Sequence, residues 1–217
     1  MFNPKSFFKD QNFQYQCHVD DEMMIKPLAE QFFQRLRFLP SNKEIVLICI
    51  GTDRSTGDSF GPLTGTMVDE NSPNRLIVYG TLSKPVHALN LNETLHQINA
   101  SHHQPFIVAM DASMGKPQNI GRITFASGPV RPGSAVKKSL PDTGDMHITG
   151  TVNVGGMMEF FVLQNTRLHL VMRMAERTAE ALLQADRWLR KPPQAMASRR
   201  RPMTQPAARE MSAPSKE

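Results

Sequence analysis

The sequence predicts an α/β fold, an open and mostly parallel sheet with helices on both faces. Two observations carry that expectation. Three apolar, largely β-branched runs read as strands buried on both sides: Glu44 to Gly51 (EIVLICIG), Arg75 to Tyr79 (RLIVY) and Pro105 to Met110 (PFIVAM). Segments of helical period lie between them, and strand–helix–strand–helix–strand is the signature of parallel crossovers.

Each element follows from local pattern. Residues 1–43 read as an N-terminal extension, partly helical: Gln31 to Leu39 sets Phe32, Leu36 and Leu39 on one face, and Pro40 stops it. The α/β domain is expected over 44–189. Its first helix runs from about Phe60 to Asp69 with Phe60, Leu63 and Met67 facing the core. Pro62 sits in the first turn of that helix, where its missing N–H costs nothing. Ala88 to Asn99 is the second helix, with Ala88, Leu91, Leu95 and Ile98 on one face. Ile120 to Ser127 and His147 to Val154 read as further strands separated by a Gly/Pro-rich loop. Arg167 to Leu189 is the clearest helix, striped by Leu168, Val171, Met172, Ala175, Ala179 and Leu182, with Arg173, Arg177 and Glu180 largely outside the stripe. The tail 190–217 is basic and rich in Pro, Ala and Ser, with no apolar period, and is expected to be disordered.

Composition narrows the function classes. The chain is 40% hydrophobic and 21% charged, in the range of globular proteins. A net charge of +5 would suit a nucleic-acid binder, but its placement does not. Seven of the 25 basic residues and two of the 20 acidic ones lie from Arg190 onward, leaving 18 of each before it. The domain itself is neutral, so no nucleic-acid face is expected on it. No apolar run approaches a membrane span, and the N-terminus lacks the apolar core of a secretory signal. Two cysteines are too few for a disulfide framework, and Cys49 reads as a core residue. A cytoplasmic protein is the expectation.

In open α/β sheets ligands bind outside the carboxyl ends of the strands, and two such ends carry an acid here. The first strand runs into a loop containing Asp53, Arg54, Gly57, Asp58, Ser59 and Phe60; the third ends at Met110 and Asp111. Two facing aspartates titrate apart, so that one acts as a base on water while the other donates a proton. The same pair could hold a divalent metal through oxygen. Asp58 or Ser59 could instead cap the following helix, and Asp53 fits an Asx-turn. The loop offers backbone N–H groups to a phosphate but lacks the spacing of a P-loop or a dinucleotide fingerprint. His87, His147 and Glu159 are further candidates, with no ligand spacing to support a metal role.

The run from Gly51 to Pro62 (GTDRSTGDSFGP) resembles the signature of the YyaC-type sporulation proteins, the spore-protease family. The resemblance continues through VYGTL at Val78, PVHA at Pro85, Asp111-Ala112, Gly144-Asp145, ITGTVNVGG at Ile148 and VLQNTRL at Val162, and covers roughly Ile45 to Ala175. That family is similar to the germination protease, an atypical aspartic endopeptidase, and to the hydrogenase-maturation endopeptidases. The likeness implies a three-layer α/β/α sandwich with Asp58 and Asp111 as the two catalytic acids. Asp53, Arg54, Ser59, His87, Asp145, His147 and Glu159 are the expected supporting or substrate-binding residues. The maturation enzymes carry a histidine metal ligand on a later loop. Gly133 to Leu140 contains none, so neither metal nor cofactor is expected. The reading is a spore-associated aspartic-type endopeptidase, placed in the forespore or spore interior, acting on a small protein or peptide. The alternative is a non-catalytic sporulation protein binding a peptide or protein in the same crevice.

Overall fold

The structure is a computed structural model and describes residues 13–132, 140–156 and 158–189. The tail 190–217 and the stretch 133–139, on which the expectations of disorder and of a missing histidine ligand fall, lie outside the described residues.

Six strands form one sheet: β1 (Gln14–His18), β2 (Ile45–Cys49), β3 (Leu76–Tyr79), β4 (Phe106–Gly115), β5 (Arg122–Ser127) and β6 (Met146–Val154), in the spatial order β1-β5-β6-β4-β2-β3. The pairs β2–β3, β2–β4 and β4–β6 are parallel, while β5 runs antiparallel to both β6 and β1. Five helices accompany them: α1 (Ile25–Leu36), α2 (Phe60–Glu70), α3 (Leu91–Ser101), α4 (Glu159–Gln164) and α5 (Leu168–Trp188). Among the described residues no helix is long and apolar enough to cross a membrane.

The strand period of two separates the cores. Ile45, Leu47 and Cys49 of β2 join Met110, Phe125 and Ile148 against α1, α2 and α5. Val46, Ile48 and Ile50 face the other way with Ala109, against Leu91 and Ile98 of α3. The sheet is thus covered on both sides, which explains why the central strands read as unbroken apolar runs.

Several boundaries differ from the sequence reading, each for a local reason. Segment 1–43 supplies an edge strand and a core helix to the same sheet. Helix α1 starts at Ile25, six residues before the expected Gln31, and buries Leu28, Ala29, Phe32 and Leu36. Arg173 and Arg177 of α5, expected outside its stripe, fasten this segment: both guanidinium groups donate to the Val19 carbonyl, and Arg177 also donates to that of Glu22. Leu168 is exposed, whereas Val171, Ala175, Ala179 and Leu182 of the expected stripe are buried, joined by Met174 and Thr178. Helix α3 begins at Leu91 instead of Ala88, because Asn90 ties the preceding turn, accepting from the His87 N–H and donating to the Pro85 carbonyl.

Candidate active site

Strand β2 stops at Cys49, where it pairs with Met110. Strand β4 does not stop there. It continues beside β6 to Gly115, so Asp111 lies inside the strand, opposite Thr149, at the level where β2 gives out. Alternation turns Asp111 to the sheet face that carries Ala109, and the gap left by β2 opens a cavity before it. That cavity, of about 520 Å³, is lined by the loop after β2, the turn before α3, the upper end of β4 and residues of α4.

Asp58 reaches the cavity from a 3-10 turn (Gly57–Ser59) that leads into α2. Two close backbone approaches fix that turn against the end of β2. Gly51 has φ +142°, and a Cβ on it would lie 1.9 Å from the Asp58 carbonyl oxygen. A Cβ on Gly61 would lie 2.3 Å from the carbonyl oxygen of Ile50. Helix propensity alone favours alanine over glycine at Gly61, but the crowding reverses the sign. Gly61→Ala is expected to lower stability by about 1–3 kcal/mol, the cost of overpacking. A thermal melt showing equal or greater stability contradicts this account of the turn.

The capping alternative is not what the turn does. Ser59 holds the N-cap position of α2 without a side-chain cap bond, and its hydroxyl donates to the Thr56 carbonyl at 2.6 Å. The N–H groups that lead into the loop are also engaged: those of Ile50, Gly51 and Thr52 donate to the carbonyls of Met110, Val86 and Asp58. With those donors used and two acids beside them, the loop is a poor phosphate cradle.

The electrostatics set the two acids apart. Asp111 is 8% exposed. Burial first, and the charge of Asp58 second, push its carboxyl well above the ordinary range, while a hydrogen bond from the Ala112 N–H pulls the other way. Burial also raises Asp58, which is less enclosed, and the positive charge of His87 lowers it in part. Asp111 is therefore the acid that holds its proton more tightly, and Asp58 the one that ionises first.

This has a consequence for stability. In the unfolded chain an aspartate titrates near its ordinary value, about 3.9. Below that pH both states are protonated and burial of Asp111 carries no charge penalty. The penalty grows as pH rises towards the raised value of the folded protein and is complete above it. Asp111→Asn is expected to raise the melting temperature more at pH 8 than at pH 4. A gain that does not depend on pH, or a loss at pH 8, contradicts the assignment.

Of the residues singled out in the sequence, Asp53, Arg54, Asp58, His87 and Asp111 line the cavity, Asp53 and Arg54 at its exposed edge. Four others do not. The Ser59 hydroxyl is held by Thr56 as described. Asp145 precedes β6 and accepts from the Ile107 N–H, four residues or about 13 Å before Asp111 along β4. His147, early in β6, donates from Nδ1 to the Gly128 carbonyl. Glu159 accepts from the Gly156 N–H at the start of α4, whereas Phe160 and Leu163 of that helix do line the cavity. Sequence reasoning did not single out Ser55, Leu89, Met114 and Phe160, of which only Ser55 lies in the Gly51 to Pro62 signature run. Among the described residues no three His, Cys, Asp or Glu side chains are grouped to hold a metal ion.

The class that this fold and crevice define is an α/β protein with a paired-carboxylate site at the carboxyl ends of parallel strands. The chain belongs to the DUF1256 family, described as a protein of unknown function, whose pattern matches residues 16–181. It is 52% identical over 147 residues to the uncharacterized protein YyaC of Bacillus subtilis strain 168, a match covering 68% of this chain and 72% of that protein. Two solved structures are similar to it. One is the NiFe hydrogenase maturation protease HycI of Thermococcus kodakarensis KOD1, with 21% identity, 64% of this chain and 92% of that chain covered, and a TM-score of 0.42. The other is a hydrogenase 3 maturation protease, with 15% identity, 55% and 80% coverage, and a TM-score of 0.35.

Proposed function

We propose that this protein is an endopeptidase of the aspartic type that cleaves a small protein or peptide through Asp58 and Asp111. The observation that carries the proposal is the meeting of these two acids in one cavity, with the charge of Asp58 raising Asp111. The ionised Asp58 takes a proton from water, whose oxygen bonds to the carbonyl carbon of the substrate. Collapse of the tetrahedral intermediate breaks the C–N bond, and Asp111 gives its proton to the departing nitrogen. A carboxylic acid and an amine result. Asp58 is then left with the proton taken from water and Asp111 without its own, and exchange with solvent restores the pair.

The rest of the cavity supports a peptide over a charged small molecule. Leu89 and Phe160 are 79% and 57% exposed at its rim, and Met114, Leu140 and Leu163 line its wall. Such a lining suits apolar side chains of an extended segment. The spore setting, with a substrate cut during sporulation or germination, rests on the sequence motifs that resemble the spore-protease family.

The test is a pH–rate profile on a peptide selected from a library by cleavage. Activity should rise as Asp58 ionises and fall as Asp111 loses its proton, with both limbs above the ordinary aspartate range. Chelator should leave the rate unchanged. Absence of turnover with retained peptide binding would favour the non-catalytic alternative, and loss of turnover on chelation would favour metal-activated water.

A further inference from the structure

Ser55 stands in the loop after β2 and lines the same cavity as the two acids. It is 7% exposed, and its Oγ is buried without a hydrogen-bond partner among the described residues. Two neighbouring hydroxyls of the loop are engaged within it: Ser59 donates to the Thr56 carbonyl, and Thr52 Oγ1 accepts from the Arg54 N–H. A buried hydroxyl left unpaired costs stability, and groups of this kind gather where a ligand completes them. The cavity lining holds other donors, but they are differently placed. Arg54 is exposed, and the charge of His87 acts on Asp58. The Ser113 hydroxyl, also in the lining, pairs with that of Thr151, and Ser55 is left as a neutral, desolvated donor of the site.

We propose that the Ser55 hydroxyl donates a hydrogen bond to the carbonyl oxygen of the bond attacked at the Asp58–Asp111 pair. This rests on the hydrolytic reading above and adds a residue to it. When the water oxygen bonds to the carbonyl carbon, the π pair moves onto the carbonyl oxygen, and the contact with Ser55 strengthens as that charge grows. When the C–N bond breaks, the pair returns to re-form C=O. A donor whose bond tightens in this way lowers the barrier more than it strengthens substrate binding. The occupant it selects is an acyl group, an amide or ester carbonyl, in an uncharged part of the substrate.

The experiment compares full-length wild type with Ser55→Ala on the best-cleaved peptide of a library, reading kcat, KM, the pH profile and the melting temperature. The expected result is a fall in kcat of about 10²–10³-fold, the loss typical of one oxyanion donor. KM should be nearly unchanged, both limbs of the pH profile should stay in place, and the melting temperature should be equal or higher. A melting temperature that falls by several degrees overturns the inference, because the hydroxyl is then a structural partner. Unchanged kcat, with Asp58→Asn inactive, also overturns it while leaving the two-carboxylate reading intact. Failure of the wild type to cut any library peptide overturns that reading, and this inference with it.

Discussion

Asp58→Asn and Asp111→Asn are each expected to lower the rate of peptide-bond cleavage by about 10²–10⁴-fold or more, the range of general acid–base catalysis. The double variant should be no slower than the slower single. A dyad that shares its proton works as a unit, so loss of either member removes the function of both, and the effects do not add. The folded structure should survive. Asparagine at position 111 keeps an oxygen to accept from the Ala112 N–H, and each change relieves repulsion between two acids that burial already strains. A cap would behave differently. If Asp58 acted only at the start of α2, Asp58→Asn would be silent and Asp58→Ala would cost about 1 kcal/mol. Kinetics and melts of the four proteins, with Asp58→Ala as the fifth, separate the two accounts. Multiplying losses in the double variant would mean that the acids act independently.

The largest effect on stability is expected at a residue far from the cavity. Asp186, near the end of α5, is 1% exposed. Its Oδ2 accepts from the Asn74 backbone N–H at 2.6 Å and side-chain amide at 2.8 Å, and its Oδ1 from the N–H groups of Arg75 and Leu76 at 2.7 and 3.1 Å. One carboxylate thus anchors the start of the edge strand β3 to the long helix. Asp186→Ala strands the buried N–H groups of Arg75 and Leu76, where each unmet group costs about 1–3 kcal/mol, and frees those of the exposed Asn74 to water. With partial relaxation the loss should be about 3–5 kcal/mol, or about 10 °C in melting temperature for a domain of this size. Asp186→Asn should recover only part of it, since its NH2 would face N–H groups. Thermal melts are the check, and a loss below about 1 kcal/mol would show that water replaces the carboxylate there.

How much of this was legible depends on what each residue must satisfy. The central strands announce themselves, because burial on both faces demands the apolar runs at Ile45–Cys49 and from Phe106 to Met110. Asp111 was legible for the same reason: a carboxylate straight after such a run stands where a strand meets a crevice. Strand β1 (QYQCH) was not, since an edge strand with half its residues outward carries no such demand. Nor was the direction of β5, because RITFAS alternates equally well in a parallel or an antiparallel pair. Asp145 and His147 were singled out for their chemistry, but they precede or open β6. In a parallel array that is the amino edge, away from the crevice. Ser55 lay in a run of turn residues, and nothing in Asp-Arg-Ser-Thr-Gly distinguishes a buried serine from an exposed one. Asp186 did leave a trace: an acid in the last turn of a helix opposes the helix dipole and asks for a partner.

The central claim is that Asp58 and Asp111 together hydrolyse peptide bonds. Its most direct test is to map new chain termini by mass spectrometry after incubating total spore protein with wild type and, in parallel, with Asp58→Asn. The account predicts a defined set of new termini with wild type, clustered at few sequence positions, and none above background with Asp58→Asn at equal folded concentration. No new termini with wild type, or the same termini with Asp58→Asn, would contradict it.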